Sequence, residues 1–383
     1  MGLLRNVFAV VLLASVAFIN PLVGAQAKKR PAPAQEAGFR EKKPLEQISI
    51  LKSIVDPASI AKIVAREYGF EKPVKCKILN IGLNDIYYLK VGDDEMYVVK
   101  LTRFDHFSNK GEEDFLFELE LLEFLHQRQI SVSYPIRRKD GRAVTFINTP
   151  EGPRYAVLFT FAPGNEDLDE KQAYILGQEL ARLHIATEGF TSSQPAPQLD
   201  LENLVNKPLE RIAAYLKGHD PNNVYEVFEK TAVTLRELLP KIPLDKQYYG
   251  VVLGDFHGFN QHFDENNQVT FFDLEFCAYG PRIYDLATFR WSRGTNKKLW
   301  DPFLEGYKSV RPLNDVELSL IDIFIMARNL WWVGWMVTMP EYEEPLDDSF
   351  WPWAIKRFFV TDDDDQDQSN DVSATHWHSM LRW

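Results

Sequence analysis

The residues best placed to do chemistry lie in one stretch, from Leu253 to Glu275. Asp255 and Asn260 sit in the polar segment Gly254-Asp255-Phe256-His257-Gly258-Phe259-Asn260, just after an apolar run from Tyr248 to Leu253. A second apolar run, Val269 to Phe272, delivers Asp273 at its end, with Glu275 close behind. Asp264-Glu265-Asn266-Asn267 between the runs has the composition of a turn, so two short strands would bring Asp255, Asn260 and Asp273 together. Two carboxylates and an amide suit a hard cation and a hydroxyl nucleophile. Magnesium takes oxygen ligands from one or two side chains and leaves its other positions to water and phosphate.

Other elements must hold this stretch in place. Asp56 and Pro57 open a predicted helix, Ala58 to Tyr68. Three β-type runs follow, Cys76 to Ile81, Ile86 to Val91 and Met96 to Leu101, with Gly92-Asp93-Asp94 as a turn between the last two. Lys100 ends the third run. The spacing of Phe115, Leu119, Leu122 and His126 predicts a helix from Glu113 to Arg128. A strand from Tyr155 to Phe161 runs into Ala162-Pro163-Gly164, where a small lobe would join a larger one. Lys171 to Thr187 forms an amphipathic helix with Leu176, Leu180 and Leu183 on one face, and His184 at its end reads as a packed or capping histidine. Thr191 to Gln198 is a loop, and helical patterns follow from Pro208 to Leu216 and from Asn223 to Leu239. In the helical run from Leu318 to Met339, Trp331 and Trp335 share a face. Core packing is their favoured role, and a wall for an acceptor or a cationic substrate is the other.

Asp-x-x-x-x-Asn followed by Asp at the end of the next strand resembles the catalytic loop and metal site of protein-kinase-like phosphotransferases. Gly-Asp-x-His-x-x-Asn, with Asp-x-Glu after it, resembles the aminoglycoside phosphotransferase and choline kinase branch. Within that branch the chain looks closest to bacterial stress-response Ser/Thr kinases and type II homoserine kinases. The likeness continues through Gly280-Pro281-Arg282 and Tyr284-Asp285-Leu286-Ala287, and spans roughly residues 48 to 360. It departs at Leu253, where the family usually has His.

The resemblance implies an α+β, two-lobed protein-kinase-like fold. Residues 48–162 would form an N-lobe with a small antiparallel sheet and one helix, and residues 163–360 a larger, mostly helical C-lobe. It also implies ATP and Mg2+. Asp255 would orient the acceptor hydroxyl, and Asn260, Asp273 and Glu275 would serve the metal. Lys100 would meet the phosphates, held by Glu118, with Glu120 the second choice. Asn84 and Asp85 would stand in for a glycine-rich phosphate loop, of which only Gly82 is present. Backbone groups of Thr160, Phe161 and Ala162 would read the adenine edge. Asp285 matches a family residue that holds the catalytic loop by hydrogen bonds, and a carboxylate favoured by a helix N-terminus would occupy the same place. The reaction implied is transfer of the γ-phosphate to a hydroxyl of a small molecule or of a protein Ser/Thr. The alternative is a non-catalytic kinase-like module that binds a ligand.

A net charge of −12 with no basic block argues against a nucleic-acid partner. Two cysteines, Cys76 and Cys277, make no disulfide framework and read as buried small apolar residues. Arg5, the apolar run Val7 to Ile19 and the small-residue site Ala25-Gln26-Ala27 make residues 1–27 a secretory signal peptide or a signal anchor. Lys28, Lys29 and Arg30 beyond that run suit the anchor, with the kinase body cytoplasmic. Export, to the periplasm or outside, is the favoured expectation over an anchored protein or, with a misassigned start, a cytoplasmic one, and any membrane association would run through residues 7–25 alone. Residues 28–47 read as a linker and 361–383 as a disordered acidic tail.

Overall fold

The structure, a computed structural model, describes residues 48, 50 and 52–358 other than 83, 103–111, 294–295, 339–345 and 347. The leader, linker and acidic tail expected from the sequence lie outside these residues.

A five-stranded antiparallel sheet forms the small lobe, in the order β1-β2-β3-β5-β4. Its strands are β1 (Val74–Ile81), β2 (Asp85–Val91), β3 (Glu95–Leu101), β4 (Val144–Thr149) and β5 (Gly152–Thr160). β4 was not anticipated, although Val144 to Thr149 precedes a Pro-Glu-Gly turn that folds it back on β5. Helix α1 (Pro57–Tyr68) starts where expected: the Asp56 carboxylate accepts from the Ser59 amide at 3.1 Å. Its Ile60 and Val64 pack on Tyr87, Leu89, Val99 and Leu158 of the sheet. α1 thus stands on the sheet as its sequence pattern predicts, beside the one helix that the resemblance implies for this lobe.

The helix that the resemblance implies is α2 (Glu112–Gln127). Its buried Phe117, Leu119, Leu121, Leu122 and Leu125 belong to the main core, together with Val144, Val157 and Phe159 of the sheet and residues of the large lobe, and not to the core under α1. Phe117 and Phe124 both pack edge-on against Phe190, at 5.8 and 4.9 Å between ring centres. Glu120 reaches the same loop: its carboxylate accepts from the Ser192 and Ser193 hydroxyls, each at 2.6 Å.

The large lobe contains α3 (Glu170–Ala186), α4 (Lys207–Leu216), α5 (Val224–Leu238), α6 (Ile283–Arg293) and α7 (Lys297–Val310), then α8 (Asp315–Ser319), α9 (Ile321–Met336) and α10 (Phe350–Lys356). A capping box between Asp169 and Gln172 starts α3, and another between Asn314 and Glu317 starts α8. The predicted run from Leu318 to Met339 therefore divides at Leu320. α7, which contains Pro302, was not read from the sequence. Two short antiparallel pairs complete the lobe: β6 (Tyr249–Val252) with β9 (Ala278–Pro281), and β7 (Gln261–Phe263) with β8 (Val269–Phe271). Among the described residues no helix is long and apolar enough to cross a membrane.

Candidate active site

The β7–β8 hairpin sets the geometry. Gln261 pairs with Phe271, and the Phe272 amide donates to the Asn260 carbonyl at 3.0 Å. Asn260 and Asp273 therefore leave the same end of one hairpin. Asp273 has φ 55°, a left-handed conformation costly for a residue with a Cβ and concentrated at functional sites. The Asn260 Nδ2 donates to the Asp255 carbonyl at 3.2 Å, which fixes the loop between them. Asn260 Oδ1 is buried and meets no hydrogen-bond donor among the described residues. An oxygen held buried without a donor is chemically suited to a hard cation.

Lys100 crosses to this hairpin from β3. Its ammonium donates to Asp273 Oδ1 at 2.7 Å and lies 2.9 Å from Glu275 Oε2 and 3.8 Å from Glu118 Oε1. Burial opposes the charge on Lys100, but Asp273, Glu118 and Glu275 override it and hold the ammonium well above its ordinary range. Burial also pushes Asp273 up, and neighbouring Glu275 adds to this against the pull of Lys100. Three carboxylates around one ammonium leave an excess of negative charge that a divalent cation would neutralise. Among the described residues no group of three His, Cys, Asp or Glu side chains has the makings of a metal site, so a metal here would rely on the Asn260 amide oxygen.

Of the neighbours Asn84 and Asp85, only the first reaches this cluster. Asn84 Nδ2 donates to Glu275 Oε2 at 2.8 Å. Asp85 is fully buried and pairs with Arg154 and Lys52, each at 2.6 Å. Adjacent residues of an extended chain point to opposite sides, so one of the two had to turn away. Glu118 is the α2 glutamate that faces Lys100, and Glu120 binds the 192–193 loop instead.

A cleft of about 690 Å3, its open mouth included, extends from Lys100 and Asp273 to an apolar end lined by Leu79, Val98, Phe159 and Phe161. Thr160, Phe161 and Ala162 lie at that end. The Thr160 carbonyl accepts from the Ser133 hydroxyl at 2.6 Å and keeps a second lone pair. The Ala162 carbonyl meets His262 Nδ1 at 2.9 Å, whereas no described group takes up the Ala162 amide. Gly164, at φ +95°, lets the joint close onto β7, because a Cβ there would stand 1.9 Å from the Phe263 carbonyl oxygen.

From below, Asp285 holds the loop that carries Asp255. Its carboxylate accepts from the Leu253 amide at 2.8 Å and the Gly254 amide at 3.0 Å, and from His184 Nε2 at 2.9 Å. Burial depresses the basicity of His184, so the neutral ring donates through Nε2 and its Nδ1 accepts from the Tyr307 hydroxyl at 2.7 Å. His184 is thus a packed, bonded residue. Because Leu253 is held through its backbone, its apolar side chain, itself buried, leaves the loop anchored. Gly254 sits at φ +76° with no room for a side chain: a Cβ would lie 2.0 Å from the Phe276 carbonyl oxygen.

Asp255 itself is gripped by a residue that the sequence reading missed. Arg328 of α9 donates from Nη2 to Asp255 Oδ1, and its guanidinium lies 5.0 Å from the Trp291 ring centre and 4.6 Å from that of Trp331. Arg328 is the only basic residue in the sequence of α9, which was the available signal. On the other side, His257 Nε2 is 3.7 Å from Asp255 Oδ2. Burial lowers the His257 ring to about 4. Cys277 is buried, Cys76 is half-buried, and neither is in a disulfide.

Residues 76–313 match the family model described as "Phosphotransferase enzyme family". The chain belongs to that family. An uncharacterised protein of Synechocystis sp. is 31% identical over 325 residues, 83% of this chain and 86% of its own length. Amicoumacin kinase of Bacillus subtilis is 23% identical over 305 residues, 73% of this chain and 84% of that protein. In fold, the chain is similar to an amicoumacin kinase, hAmiN, solved with AMP-PNP, Ca2+ and Ami. That likeness has a TM-score of 0.65 and 21% identity, over 79% of this chain and 92% of the other. Homoserine kinases are among the further relatives. In this phosphotransferase the two lobes enclose the cleft, with the acidic hairpin and Lys100 at one end and the interlobe joint at the other.

Proposed function

We propose that the chain is an ATP- and Mg2+-dependent kinase that moves the γ-phosphate to a hydroxyl group of a small molecule. The observation that carries this reading is the approach of Lys100 to Asp273 and Glu275 beside the buried, undonated oxygen of Asn260. Phosphoryl transfer asks a protein for positioning and charge neutralisation more than for covalent chemistry. Asn260 and Asp273 would hold the metal, which when bound neutralises phosphate oxygens. Lys100 moves its ammonium from carboxylates to phosphate. The apolar end of the cleft takes the adenine, with the Thr160 carbonyl as acceptor and the Ala162 amide as donor. Asp255 orients the acceptor hydroxyl. As the acceptor oxygen bonds to phosphorus, the bond from phosphorus to the β–γ bridging oxygen breaks and ADP departs. The hydroxyl proton passes to the Asp255 carboxylate.

Amicoumacin kinase and the homoserine kinases are named for small-molecule acceptors, which favours that acceptor class over a protein. An aromatic cage for a quaternary ammonium is disfavoured, since Arg328 already faces the rings of Trp291 and Trp331. Thermal unfolding with and without Mg·ATP tests the reading. Saturation at a hundredfold excess over Kd adds about 2.7 kcal/mol of stability. We expect a magnesium-dependent rise in Tm that Asp273→Asn abolishes. A folded wild-type protein that gains nothing from any nucleotide would refute the assignment.

A further inference from the structure

Arg328 has no evident structural reason to be where it is. α9 is an apolar core helix, and the Arg328 side chain is almost completely buried in it, 2% exposed. Among the described residues its one carboxylate partner is Asp255. Its Nη1 also lies 3.4 Å from the Gly254 carbonyl, and the guanidinium lies over the rings of Trp291 and Trp331, at 5.0 and 4.6 Å from their centres. Burying an ion pair stabilises a fold little better than an apolar pair of similar volume, so stability alone does not account for it. What the pair supplies is direction. A guanidinium is a rigid planar fork, and one packed against two indole rings has few other orientations.

We propose that Arg328 is a positioning residue of the transfer step: it fixes Asp255 through Oδ1 and so presents Oδ2 to the acceptor hydroxyl. The proposal rests on the reading of Asp255 as the acceptor-facing carboxylate. Arg328 cannot release Asp255 without leaving its own charge buried and unpaired, so the contact persists through the reaction cycle. His257, next to Oδ2, is held neutral by burial and does not compete as a second cation. Arg328 acts through Asp255 and touches neither nucleotide nor metal ligand, which gives it a distinct kinetic signature. Its loss lowers kcat and leaves the KM for ATP unchanged.

The test measures ADP release from Mg·ATP with water as the acceptor, in the full chain. The variants are Arg328→Met, Arg328→Lys, Asp255→Asn and the double variant Asp255→Asn/Arg328→Met. Misplacing a reacting group by about 1 Å costs on the order of 100-fold in rate, and that is the fall in kcat expected for Arg328→Met. Arg328→Lys, which keeps the charge and loses the fork, should recover part of it. In the Asp255→Asn background, Arg328→Met should cost no further rate, because the two residues act as one unit. Full turnover by folded Arg328→Met, with Asp255→Asn inactive, overturns the proposal while the reading of Asp255 stands. Wild-type turnover by Asp255→Asn overturns both. A purely structural role also overturns it, and would show as a raised KM for ATP and a loss that persists in the double variant. Should Arg328→Met fail to fold, Arg328→Lys carries the same test through its kcat and KM.

Discussion

Acid should destabilise this protein through His257 in particular. The ring is buried, and among the described residues neither of its nitrogens meets a hydrogen-bond partner. Burial lowers it from 6.5 to about 4. The unfolded chain then binds a proton more readily than the folded one, so this stability is fully present above about pH 6.5 and is lost as pH falls through about 4. A fall from 6.5 to about 4, at about 1.4 kcal/mol per tenfold change, gives a full effect of about 3 kcal/mol, of which about 2 kcal/mol is gone by about pH 5. Replacing His257 by Leu removes the titrating group and leaves no polar atom to satisfy. At about pH 8 the variant should be as stable as wild type, or more so, since an unsatisfied buried donor costs about 1–3 kcal/mol. At about pH 5 it should be more stable by about 2 kcal/mol beyond any difference seen at pH 8. Urea unfolding of both proteins across that range, read by tryptophan fluorescence, measures the difference directly. Parallel pH profiles for wild type and His257→Leu would refute the reasoning.

Three further outcomes follow from the same contacts. Lys100→Met leaves Asp273 and Glu275 buried without their cation and should cost about 3–5 kcal/mol at neutral pH. Millimolar Mg2+ should restore part of that loss, and a variant as stable as wild type in urea would contradict the charge excess described here. Asp285→Asn keeps one acceptor oxygen but sets an amide N–H against a donor. With about two charge-assisted hydrogen bonds lost at about 1.5–3 kcal/mol each, the urea midpoint should fall sharply and ADP release with it. Gly254→Ala places a methyl 2.0 Å from the Phe276 carbonyl oxygen at a positive φ, so it should destabilise the protein more than Gly258→Ala, whose nearest contact is the flexible Arg293 side chain. Calorimetric Tm values for the two variants rank them.

Much of this architecture was legible because it is local. The β-type runs around Gly92-Asp93-Asp94, the cap at Asp56 and the span from Asp255 to Asp273 each declare themselves within a few residues. The β7–β8 hairpin needs only its own turn to bring Asn260 and Asp273 to one end. What the sequence hid depends on long-range contacts. The choice between Asn84 and Asp85 is made by Arg154 and by Glu275, far away in the chain. Arg328 meets Asp255 across 73 positions, and no spacing rule connects a core helix to a loop that distant. Helix α7 escaped notice because Pro302 interrupts its pattern, and it is held by packing on α3.

The attachment of α2 also decides which half of the molecule carries it during domain motion. Glu120 on Ser192 and Ser193, and Phe117 and Phe124 on Phe190, bolt this helix to the large lobe, although by sequence it lies between strands of the small one. If the cleft narrows around a nucleotide while these contacts hold α2 against its packing on Tyr155 of the sheet, Lys100 travels relative to Glu118. The 3.8 Å separation between them is then a gauge of closure. Hydrogen exchange can read it: amides of α2 and of the 191–198 loop should change protection together on adding Mg·ATP. If α2 responds with the sheet while that loop is unaffected, the hinge axis runs on the other side of the helix.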